Sequence, residues 1–194
     1  MLVFVRFGDK SKEPVMLNAN CDCDIFLDFI LRKAVKETES FARERENEMN
    51  EIEAVLKQEI SELEAVEQCI DTTEKEQKVK QLESIAKQRE ALINGTSIFK
   101  GLNTAEYTSV DFQDMTSGKA MNLSAQPKVR AREILKERQV YLLAKRDTIQ
   151  NEKNGKEEIL LKPLTFDMSI AENKIIPEKS SKKSSSSSVG KKKR

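Results

Sequence analysis

The residues best equipped for chemistry are two thiols one residue apart, Cys21-Asp22-Cys23, placed just before an apolar stretch that reads as a helix. Thiols at a helix N-terminus can be acidified, and can then react or bind a metal. Zinc asks for four ligands, yet the chain has no His and one further cysteine, Cys69. The plainer reading therefore stands beside the chemical one: Cys21 is a small buried residue at a strand–helix junction and Cys23 is incidental. Without His there is no Ser-His-Asp or Cys-His machinery, so acid–base work would fall to Asp, Glu, Lys or Cys. No two such groups share a readable motif. The expectation is a non-enzymatic protein with no metal and no cofactor.

Other motifs carry less. Gly8 and Gly118 stand in no phosphate-loop frame and read as turn glycines with positive φ. Asn94-Gly95-Thr96 and Asn122-Leu123-Ser124 match the glycosylation sequon, but the N-terminus lacks signal-peptide features, so both should stay unmodified. Lys182, Lys183, Lys191, Lys192, Lys193 and Arg194 form a split basic cluster, with Ser180, Ser181 and Ser184 to Ser188 between its parts. It reads as a nuclear localisation signal, as a docking element for an acidic surface, or as a solvated spacer. Phosphorylation of those serines would cancel its charge.

These residues sit in an unusually polar chain of 194 residues, 35 % charged and 38 % hydrophobic. No apolar run approaches the length of a membrane span. Three cysteines fit reduced thiols, and the chain reads as intracellular and cytoplasmic, with a nuclear location open through the basic cluster. Net charge is +1, but residues 36–94 hold nine Lys/Arg against sixteen Asp/Glu, whereas 148–194 hold eleven against six. An acidic middle and a basic end suggest segments with separate partners.

Hydrophobic patterning predicts an α+β chain. Residues 2–7 and 14–18 read as a β-hairpin, and Ile25, Phe26, Phe29 and Ile30 as the buried stripe of a following helix capped by Asp22 or Asp24. Residues 36–94 read as a helical arm. Met49, Leu56, Leu63 and Ile70 are spaced by seven, with Ile52 and Val66 three residues after Met49 and Leu63; Glu59 spoils one position and Ile60 beside it partly restores the stripe. Thr73 and Glu76 fit a capping box for a second helix, with Val79, Leu82, Ile85, Ala86, Leu92 and Ile93 as its apolar face and Asn94-Gly95 as its C-cap. A hairpin and a bent rod both remain open. Residues 109–113 read as a strand, 120–123 as a short strand, 127–136 as a helical stretch capped by Ser124, and 139–144 as a buried last strand. Order should fade after Thr148, with a low-complexity Ser/Lys tail from Lys179.

This order suggests a ubiquitin-like β-grasp head formed by residues 1–35 plus 108–147. The head is interrupted by the arm, 36–95, and followed by a mostly disordered basic tail, 148–194. Removing 36–94 should leave the head folded. The stretches VFVRFGD (Val3 to Asp9), VMLNANC (Val15 to Cys21), SVDFQDMTSGKAMNL (Ser109 to Leu123) and ERQVYLLAK (Glu137 to Lys145) resemble a family of uncharacterised animal proteins. Its namesake is the product of chromosome X open reading frame sixty-five. The resemblance covers about 75 residues. It implies a compact β-grasp-like head, a basic tail and no known enzymatic activity; the long arm departs from the family pattern. The functional expectation is a protein-interaction or scaffold protein whose head and arm bind protein partners, a helical partner for the arm among them. The alternative is a structural component of a cytoskeletal or ciliary assembly docked through the basic tail. A nucleic-acid partner is not expected, because the head is near neutral and has few aromatics.

Overall fold

Alternation of Val3 and Val5 with outward residues makes β1 (Leu2–Arg6), and the turn chemistry after it returns the chain as β3 (Val15–Asn18), antiparallel with Val3 opposite Leu17 and Phe4 opposite Met16. In this computed structural model, residues 1–65, 72–102, 104–150 and 157–168 are described. Between the hairpin strands lies a two-residue strand, β2 (Gly8–Asp9). Two long helices follow, α1 (Cys23–Ala65) and α2 (Thr72–Lys100), then β4 (Val110–Asp114), a short helix α3 (Ala131–Ile134), β5 (Val140–Gln150), β6 (Glu157–Pro163) and β7 (Thr165–Phe166). The class is mixed α+β, as the patterning predicts.

The main sheet has the order β3-β1-β5-β4. β1 runs parallel to β5, and β4 runs antiparallel to it with Phe112 opposite Leu143. β6 pairs antiparallel with β5 over Ala144 to Gln150, beyond the stretch that β1 occupies. The first turns of α1 cover one face of this sheet. Val3, Val5, Leu17, Phe112, Tyr141 and Leu143 meet Phe26, Leu27, Ile30, Leu31 and Ala34 in one buried core. Phe26 stands edge-on to Phe112 at 5.5 Å, and Phe112 stacks on Tyr141 at 6.0 Å.

Several expectations are corrected here. Phe26 and Ile30 are buried as predicted, but Ile25 and Phe29 are 59 % and 54 % exposed. Apolar residues occupy most positions from 25 to 31 and wrap too far round the helix for all to face the sheet; Leu27 and Leu31 take the inner places. The strand expected over 120–123 reduces to one bridge, Ala120 to Gln113, before Asn122 adopts a left-handed φ of 53° and a 3-10 turn forms over Leu123–Ala125. The helix expected over 127–136 is the four-residue α3. The last strand is longer than 139–144, and order does not fade at Thr148: β6 and β7 follow it within the segment read as a disordered tail. Gly8 and Gly118 do carry positive φ, at 72° and 70°.

The arm is continuous with the head. α1 runs 43 residues without interruption from the head into the arm, roughly 65 Å at 1.5 Å per residue. α2 returns antiparallel to it and passes straight through Asn94-Gly95, which is therefore no C-cap. The reason is tertiary. β7 pairs parallel with β2: the Gly8 amide donates to the Leu164 carbonyl at 2.8 Å and the Lys10 amide to the Phe166 carbonyl at 2.8 Å. This sets Phe166 against Phe41 of α1 at 6.0 Å, against Phe99 of α2 at 6.4 Å, and over Gly95. A Cβ at Gly95 would lie 2.8 Å from Cγ of Phe166. Removing 36–94 would thus take away Phe41, Leu92 and half of this junction, so the head and the root of the arm share one core.

Gly95→Ala is therefore expected to destabilise by about 1–2 kcal/mol in urea titrations, because overpacking outweighs the better helix propensity of Ala. With Phe166→Ala, itself worth about 3–5 kcal/mol, the two effects should be strongly non-additive, since the ring that a new Cβ would strike is gone. Additive losses would contradict the contact.

Candidate functional site

The thiols lie where β3 gives way to α1. The Asp22 carbonyl accepts the first helical bond, from the Phe26 amide at 3.0 Å. Cys23 is fully buried and Cys21 partly so, the reverse of the sequence reading. Burial pushes the Cys23 thiol up to about 11, helped by the charge of Cys21 and of nearby carboxylates including Asp111. Burial and then Asp22 and Asp24 raise Cys21 as well. These thiols are held protonated, which is the opposite of activation. Asp24 instead pairs with Lys128 at 2.9 Å, tying the helix start to the segment before α3.

Asp111 is the one fully buried carboxylate among the described residues. Desolvation raises its pKa, while the amides of Phe112 and Leu123, at 2.7 and 3.1 Å, and the Ser124 hydroxyl support its charged form. Arg146 donates to Ser124 behind it. The group fastens the 3-10 turn to β4 and opens onto no described cavity. Among the described residues, no three His, Cys, Asp or Glu side chains assemble to hold a metal ion, and no helix is long and apolar enough to cross a membrane.

What the molecule offers instead is surface. The arm is a hairpin of two helices joined along a seam. Met49 and Leu56 are buried in it, and Ile60 and Leu63 are half-buried. Ile52 is exposed, contrary to expectation; Val66, Ile70 and Cys69 lie outside the described residues. The repeat is displaced by one position: the second seam row runs through Glu53 and Ile60, not through 52 and 59. On α2 the seam takes Lys78, Leu82, Ile85, Arg89, Leu92, Thr96 and Phe99, spaced alternately four and three, while Val79, Ala86 and Ile93 of the predicted apolar face point outward. Cations occupy seam positions that hydrophobic periodicity assigns to apolar side chains, and each has a partner across it. Arg89 reaches Glu53 and Asn50, both at 2.6 Å, and Lys78 reaches Glu59 at 2.7 Å. Lys75 pairs with Glu64 at 2.6 Å nearer the tip. Hydrogen bonding from Lys57, with Arg89 beside it, holds the Glu53 carboxyl below its ordinary range, and Glu59 holds Lys78 above its own.

The face of the sheet away from α1 carries a second surface, whose residues hydrophobic patterning alone does not name. Register places Met16, Phe4 and Val140 side by side across β3, β1 and β5, with Leu142 next along β5. Met16 is 57 % exposed, and Phe4, Val140 and Leu142 are half-buried. β3 is also the edge of the sheet, with one side free of strand partners among the described residues. The signal for this surface was the apolar outward alternation of residues 2–7 and 140–142. The basic cluster at Lys182, Lys183, Lys191, Lys192, Lys193 and Arg194 lies outside the described residues.

Comparison with known proteins identifies no relative: no family model, no curated protein and no solved structure matches the chain.

The thiol assignment is checked by alkylation and peptide mapping. At pH 8, Cys23 should react at least about a hundredfold more slowly than a free thiol, and at the free rate after unfolding. Fast labelling of Cys23 in the folded protein would contradict its burial.

Proposed function

We propose that this protein is a non-enzymatic adaptor: a ubiquitin-like β-grasp head that presents its open sheet face, and a helical hairpin that docks a helix of a partner. The observation that carries the reading is the row Met16–Phe4–Val140, three apolar side chains adjacent across three strands, with Met16 exposed and Phe4 and Val140 half-buried. Contiguous apolar surface rimmed by polar residues is a feature of interaction sites. The β-grasp assignment is supported by the hairpin β1–β3, the helix packed across it, and β5 inserted parallel to β1 between it and β4. The place of the head in the family named for chromosome X open reading frame sixty-five rests on the four stretches already quoted. The adaptor reading is supported by the arm, which holds surface far from the head on a stiff support. The exposed edge of β3 adds a further means of attachment, by strand addition.

The test uses affinity capture with quantitative mass spectrometry on three proteins: the full chain, Met16→Asp, and a chain in which residues 50–89 are replaced by a short Gly/Ser linker that spares the junction at Phe41, Leu92 and Phe166. Both altered chains should keep cooperative unfolding, and each should lose at least tenfold in recovery of a different set of partners. Identical recovery by all three folded proteins would overturn the adaptor reading.

A further inference from the structure

α2 carries a second heptad seam that nothing in the described structure covers. Val79, Ala86 and Ile93 are spaced by seven, and Val79 and Ile93 are 41 % and 58 % exposed. Three residues before each stands a glutamate: Glu76, Glu83 and Glu90 form an exposed row alongside the apolar one. Lys75, Lys78 and Arg89 of α2 pair with carboxylates of the arm, whereas these three glutamates join no ion pair among the described residues; Lys80 and Lys87, one residue after Val79 and Ala86, join none either. Beside Ile93 the surface deepens into a groove of about 500 Å³ between the two helices, lined by apolar Met49 and Leu92 and by charges of both signs, Glu39 and Glu46 with Arg43 and Lys100.

An apolar heptad row edged by unpaired glutamates is half of a coiled-coil interface; the other half has apolar residues at the same spacing and Lys or Arg along its edge. We propose that the arm binds, along Val79–Ala86–Ile93, an amphipathic helix of a partner protein whose edge is basic. This rests on the adaptor reading and names the partner of one of its surfaces. A second copy of the chain is the poorer occupant. Laid antiparallel about Ala86, it would match Val79 with Ile93 but set Glu83 against Glu90. The small side chain of Ala86 leaves room for a large residue of the incoming helix at the middle of the row.

The probe is a pair of synthetic 21-residue helices with the same leucine heptads, one edged with lysine and one with glutamate. Their binding to the full chain is read by fluorescence anisotropy at low and high salt. The lysine-edged helix should bind at least tenfold tighter than its counterpart, and more weakly in high salt. Val79→Asp and Ile93→Asp, both at exposed positions and both expected to leave the melting temperature within a few degrees, should each weaken it at least tenfold. The triple change Glu76→Lys, Glu83→Lys, Glu90→Lys should reverse the preference. Equal binding of both helices, or binding indifferent to Ile93→Asp, overturns the proposal. So does sedimentation showing a dimer that Ile93→Asp dissolves, which would make a second copy the occupant. Loss of captured partners with the 50–89 replacement but no helix binding would leave the adaptor reading standing and this one refuted.

Discussion

Phe166 can lie where it does because the helix beneath it has no side chain at residue 95. That single close approach joins three parts of the chain that are far apart in sequence. The strand carrying Phe166 pairs with Gly8–Asp9 next to the first strand of the head; the ring itself rests on Phe41 and Phe99 at the root of the arm. Any Cβ at residue 95 would push the ring and, through it, the strand pairing at β2. Helical Gly costs about 1 kcal/mol relative to Ala. Here that cost is offset by burial of an aromatic ring that no larger residue would admit.

The consequence is mechanical. A helix that leaves a domain and returns to it through loose connections swings freely, and whatever it carries is poorly placed. α1 instead passes from sheet cover to arm without a break, and α2 comes back onto the same core. The surfaces on the arm and on the sheet are therefore held by one body of packed side chains. The charged layers in the seam, Glu53 with Arg89 and Glu59 with Lys78, are partly exposed pairs and add little stability. Each cation meets a carboxylate of the facing helix, an arrangement that belongs to this register of the two helices.

The local parts of this were legible in the sequence. The opening hairpin, the start of α1, β4 and the core of β5 follow from alternation and turn chemistry, which act over a few residues. The seam was legible in outline through Met49, Leu56, Leu82, Ile85 and Leu92, but its second row was misplaced because Glu53, Lys78 and Arg89 occupy positions that hydrophobic periodicity assigns to apolar side chains. Asn94-Gly95 carries the local signature of a helix end; tertiary packing with Phe166 overrides it. β6 and β7 are not predicted because the apolar island Ile159-Leu160-Leu161 is short and closely followed by Pro163, and because β7 answers to a partner more than 150 positions away. A pairing of that span leaves no periodic mark. Of the candidate surfaces, the arm was visible and the sheet face was visible only after register placed Met16, Phe4 and Val140 together.

The central claim is that the head and the root of the arm are one cooperative unit sealed by the C-terminal strand. Native-state hydrogen exchange in graded denaturant measures it directly, because it reports the opening free energy of each amide. The amides of Gly8 and Lys10, those of residues 95–99, and those of β1 should share one opening free energy and lose it together as denaturant rises. Exchange from residues 95–99 at a much lower free energy, with β1 still protected, would show the arm opening independently of the head and would contradict the account.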